Sequence, residues 1–170
     1  MKKILLIAIL VLSVKTLIAQ DLTFPIDSVT QKASYSQVVQ VKGSKNELYS
    51  KAIEWFASMF KSSKNVIQLD DKDAGKIIGK FVAYDSNQGP VTCTLTIMLK
   101  DEKYKYILDN IYFNGNRSYP GWGLEENPSM LKANMFKYAI NSIKKNSKQN
   151  IEGLITTLKT AMEAEKSTEF

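Results

Sequence analysis

The chain has no histidine, one cysteine, one arginine and four prolines in 170 residues. Without histidine there is no Cys/His zinc site, no Ser-His-Asp or Cys-His nucleophile and no haem ligated through imidazole. One cysteine excludes an intramolecular disulfide. Arginine is the side chain best suited to bidentate phosphate and guanine contacts, and a lone Arg117 argues against nucleic-acid recognition. With 44% hydrophobic and 24% charged residues, the composition is that of one ordinary globular domain, which excludes disorder, collagen and a polytopic membrane protein.

Lys2 and Lys3 precede an apolar run from Ile4 to Val14, followed by Lys15 and by a small residue at Ala19. This pattern predicts a secretory signal over residues 1–19, cut after Ala19, and an exported protein of the periplasm or extracellular space. The run is shorter than the ~20 residues of a spanning helix, so no membrane span is expected in the mature form. No cysteine follows it to carry a lipid. Loss of Lys2, Lys3 and Lys15 leaves 20 basic against 17 acidic residues, a net charge of only about +3, which further weakens a nucleic-acid reading.

Residues 20–34 are polar, contain Pro25 and show no clean period; they predict an extended N-terminal arm ahead of a single domain over 35–166. Tyr35 to Val41 alternates and reads as a strand. Ser44-Lys45-Asn46-Glu47 is a capping box, and the apolar positions Leu48, Ala52, Trp55, Phe56, Met59 and Phe60 continue as a buried helical stripe. Four strands then follow as a meander: Val66 to Leu69, Lys76 to Tyr84, Val91 to Lys100 and Lys103 to Asn114. Gly79 marks a place where a helix packs close.

Val91, Cys93, Leu95, Ile97 and Leu99 share one face of their strand, with Cys93 as a small buried hydrophobe, while Thr92, Thr94 and Thr96 share the other. A two-residue hairpin at Asp101-Glu102 sets Leu99 opposite Tyr104, Ile97 opposite Tyr106 and Leu95 opposite Leu108. Strict alternation then puts Ile107, Ile111 and Phe113 on the threonine face. From Ser129 the chain is helical, in one piece or two, with a first stripe through Leu131, Met135, Tyr138, Ala139 and Ile143, a second from Ile151 to Met162, and a break or a short exposed link at Lys144 to Lys148 between them.

The motifs Gln37-Val38-Val39-Gln40-Val41, Ser44 to Tyr49 leading into Glu54-Trp55-Phe56, Gly75-Lys76-Ile77-Ile78-Gly79 and Tyr104-Lys105-Tyr106 resemble those of an exported bacterial domain-of-unknown-function family, number 4468, with a TATA-binding-protein-like (TBP-like) fold. The resemblance covers the element order from about Phe24 to Met162 and brings no catalytic residue with it. It implies an α+β domain of order β-α-β-β-β-β-α, one curved antiparallel sheet with the helices packed on one face and the other face open.

In the namesake fold that saddle binds DNA, a function that export, low arginine and slight charge argue against here. The expected function is therefore a non-catalytic binding or interaction module for a protein, peptide or glycan. Its site would combine the open face at Thr94 and Thr96 with the irregular loop 114–128, through Arg117, Tyr119 and Trp122. Trp122 folding back over the core is the competing reading of that loop. No catalytic residue, cofactor or metal is expected: Asp70, Asp71 and Asp73 lack the spacing of a calcium loop and read as a turn. The alternatives are a glycan hydrolase using the carboxylates of Glu125 and Glu126, and a structural module that homodimerises through a sheet edge or the open face.

Overall fold

The computed structural model describes residues 22–126 and 134–164; the signal segment and the expected helical positions up to Leu131 lie outside them. The elements are β1 (Tyr35–Gln40), α1 (Lys45–Met59), a single turn α2 (Ser63–Val66), β2 (Ile67–Asp71), β3 (Lys76–Ser86), β4 (Gly89–Lys100), β5 (Lys103–Phe113), β6 (Trp122–Gly123) and α3 (Asn134–Glu163). The strands form one antiparallel sheet ordered β1-β5-β4-β3-β2, and the short β6 pairs with the far end of β5. This is the α+β architecture implied by the sequence, with α2 and β6 as additions.

Helix α1 begins where the capping box places it. The Glu47 amide donates to Ser44 Oγ at 3.3 Å and the Ser44 amide donates to the Glu47 carboxylate at 2.7 Å, satisfying two helix-end donors. Leu48, Tyr49, Ala52, Trp55 and Phe56 are its buried residues. Met59, expected on this stripe, is 40% exposed, because the helix ends there and the chain turns at Phe60, whose ring takes the inward place against Phe56 (5.9 Å) and Phe81 (4.8 Å). Trp55 is buried and donates from its indole to Thr157 Oγ1 of α3 at 3.2 Å, tying the two helices together over the sheet. Gly79 makes the close approach possible: a Cβ there would lie 2.6 Å from Phe56 Cε1.

Of the two readings of the tail the structure has the single one, a 30-residue helix. Its inward stripe runs through Ile140, Ile143, Ile151, Ile155, Leu158 and Met162, bridged in the middle by Lys144 and Ser147, both buried. The expected link is therefore packed on the sheet, and lysine is a good helix former that breaks nothing. The first stripe is also rotated from expectation, since Tyr138 is 85% exposed and Ile140 takes the buried position.

The hairpin register is the expected one, with Leu99 opposite Tyr104, Ile97 opposite Tyr106 and Leu95 opposite Leu108. Beyond Thr94–Asp109 it shifts by one residue, so that Thr92 faces Tyr112 and Val91 faces Phe113. The extra residue sits at Asn110, whose φ is 50°. This bulge swings Ile111 and Phe113 into the core, where they are 2% and 0% exposed, and corrects their expected place on the threonine face. Ile107, before the bulge, stays on the open face opposite Thr96.

The arm is folded back rather than extended. Asp27 accepts from the Val29 and Thr30 amides at 3.1 and 2.8 Å, turning the chain so that Ile26 bridges Ala33, and Phe24 packs edge-on to Tyr35. The amide bonds, Thr30 hydroxyl first among the side-chain donors, hold the Asp27 carboxyl below the usual range.

Candidate functional site

Burial separates the two faces of the sheet. Core side chains of β3, β4 and β5 such as Ile77, Cys93, Leu95 and Leu108 are fully buried beneath the helices, whereas Ile78, Thr92, Thr94, Thr96, Met98 and Ile107 remain half-exposed on the other side. Burial among these apolar neighbours, with the charge of Asp109 acting in the same sense, pushes the Cys93 thiol well up and disfavours its thiolate.

At the bulge end of the open face lies a groove of about 420 Å³ lined by Lys80, Thr92, Thr94, Asn110, Tyr112 and Glu125, with Lys32 and Glu126 at its rim. The bulge builds it, since the same extra residue that buries Ile111 turns Tyr112 outward, leaving it 44% exposed. Asn114 fixes the floor by donating from its amide group to Thr92 Oγ1 and to the Pro90 carbonyl, each at 3.1 Å.

The far wall comes from residues 123–126. The Leu124 amide donates to the Ile111 carbonyl at 3.1 Å and buries Leu124, while Gly123 leaves space that a Cβ would take from the Glu125 carboxylate. Glu125 accepts from Lys32 Nζ at 2.8 Å and from the Ala33 amide at 3.3 Å, and Lys32 also reaches Glu126 at 3.8 Å. Burial pushes the Glu125 carboxyl up, but the bonds from Lys32 and Ala33 outweigh it and hold the group below its ordinary value. Asp109, beside the bulge, is pushed the other way by burial.

The five expected site residues do not converge. Thr94 lines the groove. Thr96 lies one row further along the same face, between Ile78 and Ile107. Arg117 is exposed on the loop, and Tyr119 is half-buried with its ring edge-on to Phe136 at 5.4 Å. Trp122 is a core residue, 5% exposed, which corrects its assignment to a ligand surface. Residues 114–121 form a compact turn in which Asn116 Oδ1 accepts from the Ser118 and Tyr119 amides, and this returns Trp122 to pair with Phe113 as β6. Its ring lies 5.4 Å from that of Phe113, with Lys144 Nζ 5.7 Å from its centroid.

Sequence reasoning missed Lys80, Asn110, Tyr112 and Lys32. Tyr112 could have been found only by recognising Asn110 as a bulge residue, since asparagine tolerates positive φ. Among the described residues no group of three or more Cys, Asp or Glu side chains could hold a metal ion, and no helix is long and apolar enough to cross a membrane.

The fold has counterparts among solved structures. A TBP-like protein from Parabacteroides distasonis superposes with a TM-score of 0.63 at 15% identity, over 84% of this chain and 98% of that one. A DUF4468 family protein from Bacteroides ovatus superposes with a TM-score of 0.56 at 18% identity, over 85% and 94%. No curated protein matches the chain. Residues 35–114, from the start of β1 to the end of β5, match the family described as a domain of unknown function (DUF4468) with TBP-like fold, the family that the capping box, the Gly79 strand and the Tyr104 strand resemble.

Proposed function

We propose that the chain is an exported, non-catalytic binding module whose ligand is a glycan held in the groove between Tyr112 and Glu125. The observation that carries this reading is the groove itself. It lies on the sheet face opposite the helices, its volume falls within the range of small-molecule sites, and it sets one exposed aromatic ring among hydroxyl, amide and charged groups. A sugar presents an apolar ring face and a rim of hydroxyls, which this lining can meet through Tyr112 on one side and Thr94, Asn110 and Lys80 on the other.

The ion pair with Lys32 disfavours Glu125 as a general acid. Glycoside cleavage needs an acid with a raised pKa to protonate the leaving oxygen, whereas Glu125 is held ionised by Lys32. Export rests on the charged start, the short apolar run and Ala19.

Calorimetric titration with cellobiose, maltose and N,N′-diacetylchitobiose tests the proposal. Saturable binding of at least one disaccharide, abolished by Tyr112→Ala and leaving the sugar intact, is the expected result. Release of free monosaccharide, or equal binding by Tyr112→Ala, would overturn it.

A further inference from the structure

The open face carries a second groove at its other end, beside the β4–β5 hairpin, and it has a different chemistry. It measures about 390 Å³, with Val38 and Met98 among its apolar lining and Lys100, Lys103 and Lys105 around them. By register Val38 faces Lys105, Met98 faces Lys105 and Lys100 faces Lys103, so the three ammonium groups surround the apolar centre on one face. Val38 is 54% exposed although it is a β-branched apolar residue in mid-strand.

No carboxylate of the described residues lies within ion-pair distance of Lys100, Lys103 or Lys105, although the charge of Lys105 is felt at Asp27 in the arm. Of the acids on this side, Asp101 accepts from the Lys45 amide at 2.7 Å, and Asp27, which also feels the Lys105 charge, accepts from Val29 and Thr30 in the arm. Three like charges around an exposed apolar floor repel one another and favour an anionic occupant.

We propose that this groove binds an extended acidic peptide segment of another protein, with carboxylates at alternate positions and an apolar side chain in the same alternating set. An extended peptide matches the spacing. Lys103 and Lys105 alternate on one strand and so stand about 7 Å apart, the same repeat that an extended peptide gives its alternate side chains. Lysine supplies point charges, sufficient for carboxylates and poorly suited to the bidentate reading of bases. This site is separate from the glycan groove and does not depend on it.

The test is fluorescence anisotropy of the full chain with a fluorescein-labelled peptide Glu-Ser-Glu-Ser-Leu, its Gln-Ser-Gln-Ser-Leu counterpart, a labelled oligothymidine and phosphatidylglycerol vesicles. The acidic peptide should bind at least about tenfold more tightly than the glutamine peptide, weaken steeply with added salt and shift the Met98 methyl resonance. Lys103→Glu with Lys105→Glu should weaken it at least about tenfold with an unchanged circular dichroism melt, as should the milder Lys103→Gln with Lys105→Gln in part, whereas Lys80→Glu in the other groove should not. Equal binding of both peptides, indifference to the Lys103 and Lys105 changes, or tighter binding of the oligonucleotide or the vesicles would overturn the proposal.

Discussion

Truncating Trp122 to alanine separates a core lid from a binding ring. The side chain is 5% exposed, so nearly all of the roughly 150 to 250 Å² that a large aromatic residue removes from water is buried. At about 25 cal/mol per Å² this corresponds to ~4 to 6 kcal/mol, and large-to-small aromatic truncations fall at about 3 to 5 kcal/mol after partial collapse of the site. The tilted contact with Phe113 and the Lys144 cation over the ring add to the transfer contribution, while the Lys144 bond to the Glu126 carbonyl at 2.8 Å survives the change. A loss of about 4 kcal/mol is roughly a quarter or more of the stability of an ordinary domain and lowers Tm by about 10 to 15 °C. Urea unfolding followed by circular dichroism measures it. Tyr119→Ala, at a half-buried position, should lose less than half as much. A Trp122→Ala variant that melted with the parent would refute the buried placement and return the ring to the candidate ligand surface.

Three further outcomes follow from named contacts. Ser44→Ala removes the acceptor of the capping box and should cost about 1 kcal/mol in urea unfolding; a larger loss in Gly43 variants would not bear on it, but an unchanged midpoint would contradict the cap. Gly79→Val forces a side chain into the space of the Phe56 ring and should destabilise by about 1 to 3 kcal/mol, whereas an increase in stability would show that α1 does not press on β3 there. The native Glu125 carboxyl titrates below its unfolded counterpart, so its contribution is fully present above the unfolded value of about 4.3 and is lost as pH falls through the native one. Below that range the arm should release Lys32 and Ala33, seen as a lower protection factor of the Ala33 amide once the intrinsic slowing of exchange with acid is divided out, and Glu125→Gln should remove that change in protection.

How far the sequence was legible depends on how local the signal is. The capped start of α1 lies within four residues, and the β4–β5 register follows from keeping Leu95, Ile97 and Leu99 beside Leu108, Tyr106 and Tyr104; both are found as read. Charge at Lys144 predicts exposure, but the side chain lies over Trp122, a contact between residues distant in sequence. Alternation failed after Asp109 because a bulge is one residue of backbone geometry at Asn110, with no effect on composition. The candidate groove inherited that failure: Thr94 was legible from its strand, but Tyr112, Lys32 and Lys80 meet it only through the bulge, the folded arm and the β3 pairing.

The central claim, that ligand binds the sheet face turned away from the helices, is tested most directly by mapping amide shifts of the ¹⁵N-labelled protein during titration with the disaccharide that binds. The account predicts that the perturbed amides cluster at Thr92, Thr94, Asn110 and Tyr112, while Leu48 to Phe56 of α1 and Ile151 to Met162 of α3 stay in place. Perturbations centred on α1 or α3, with the strand amides unmoved, would contradict it.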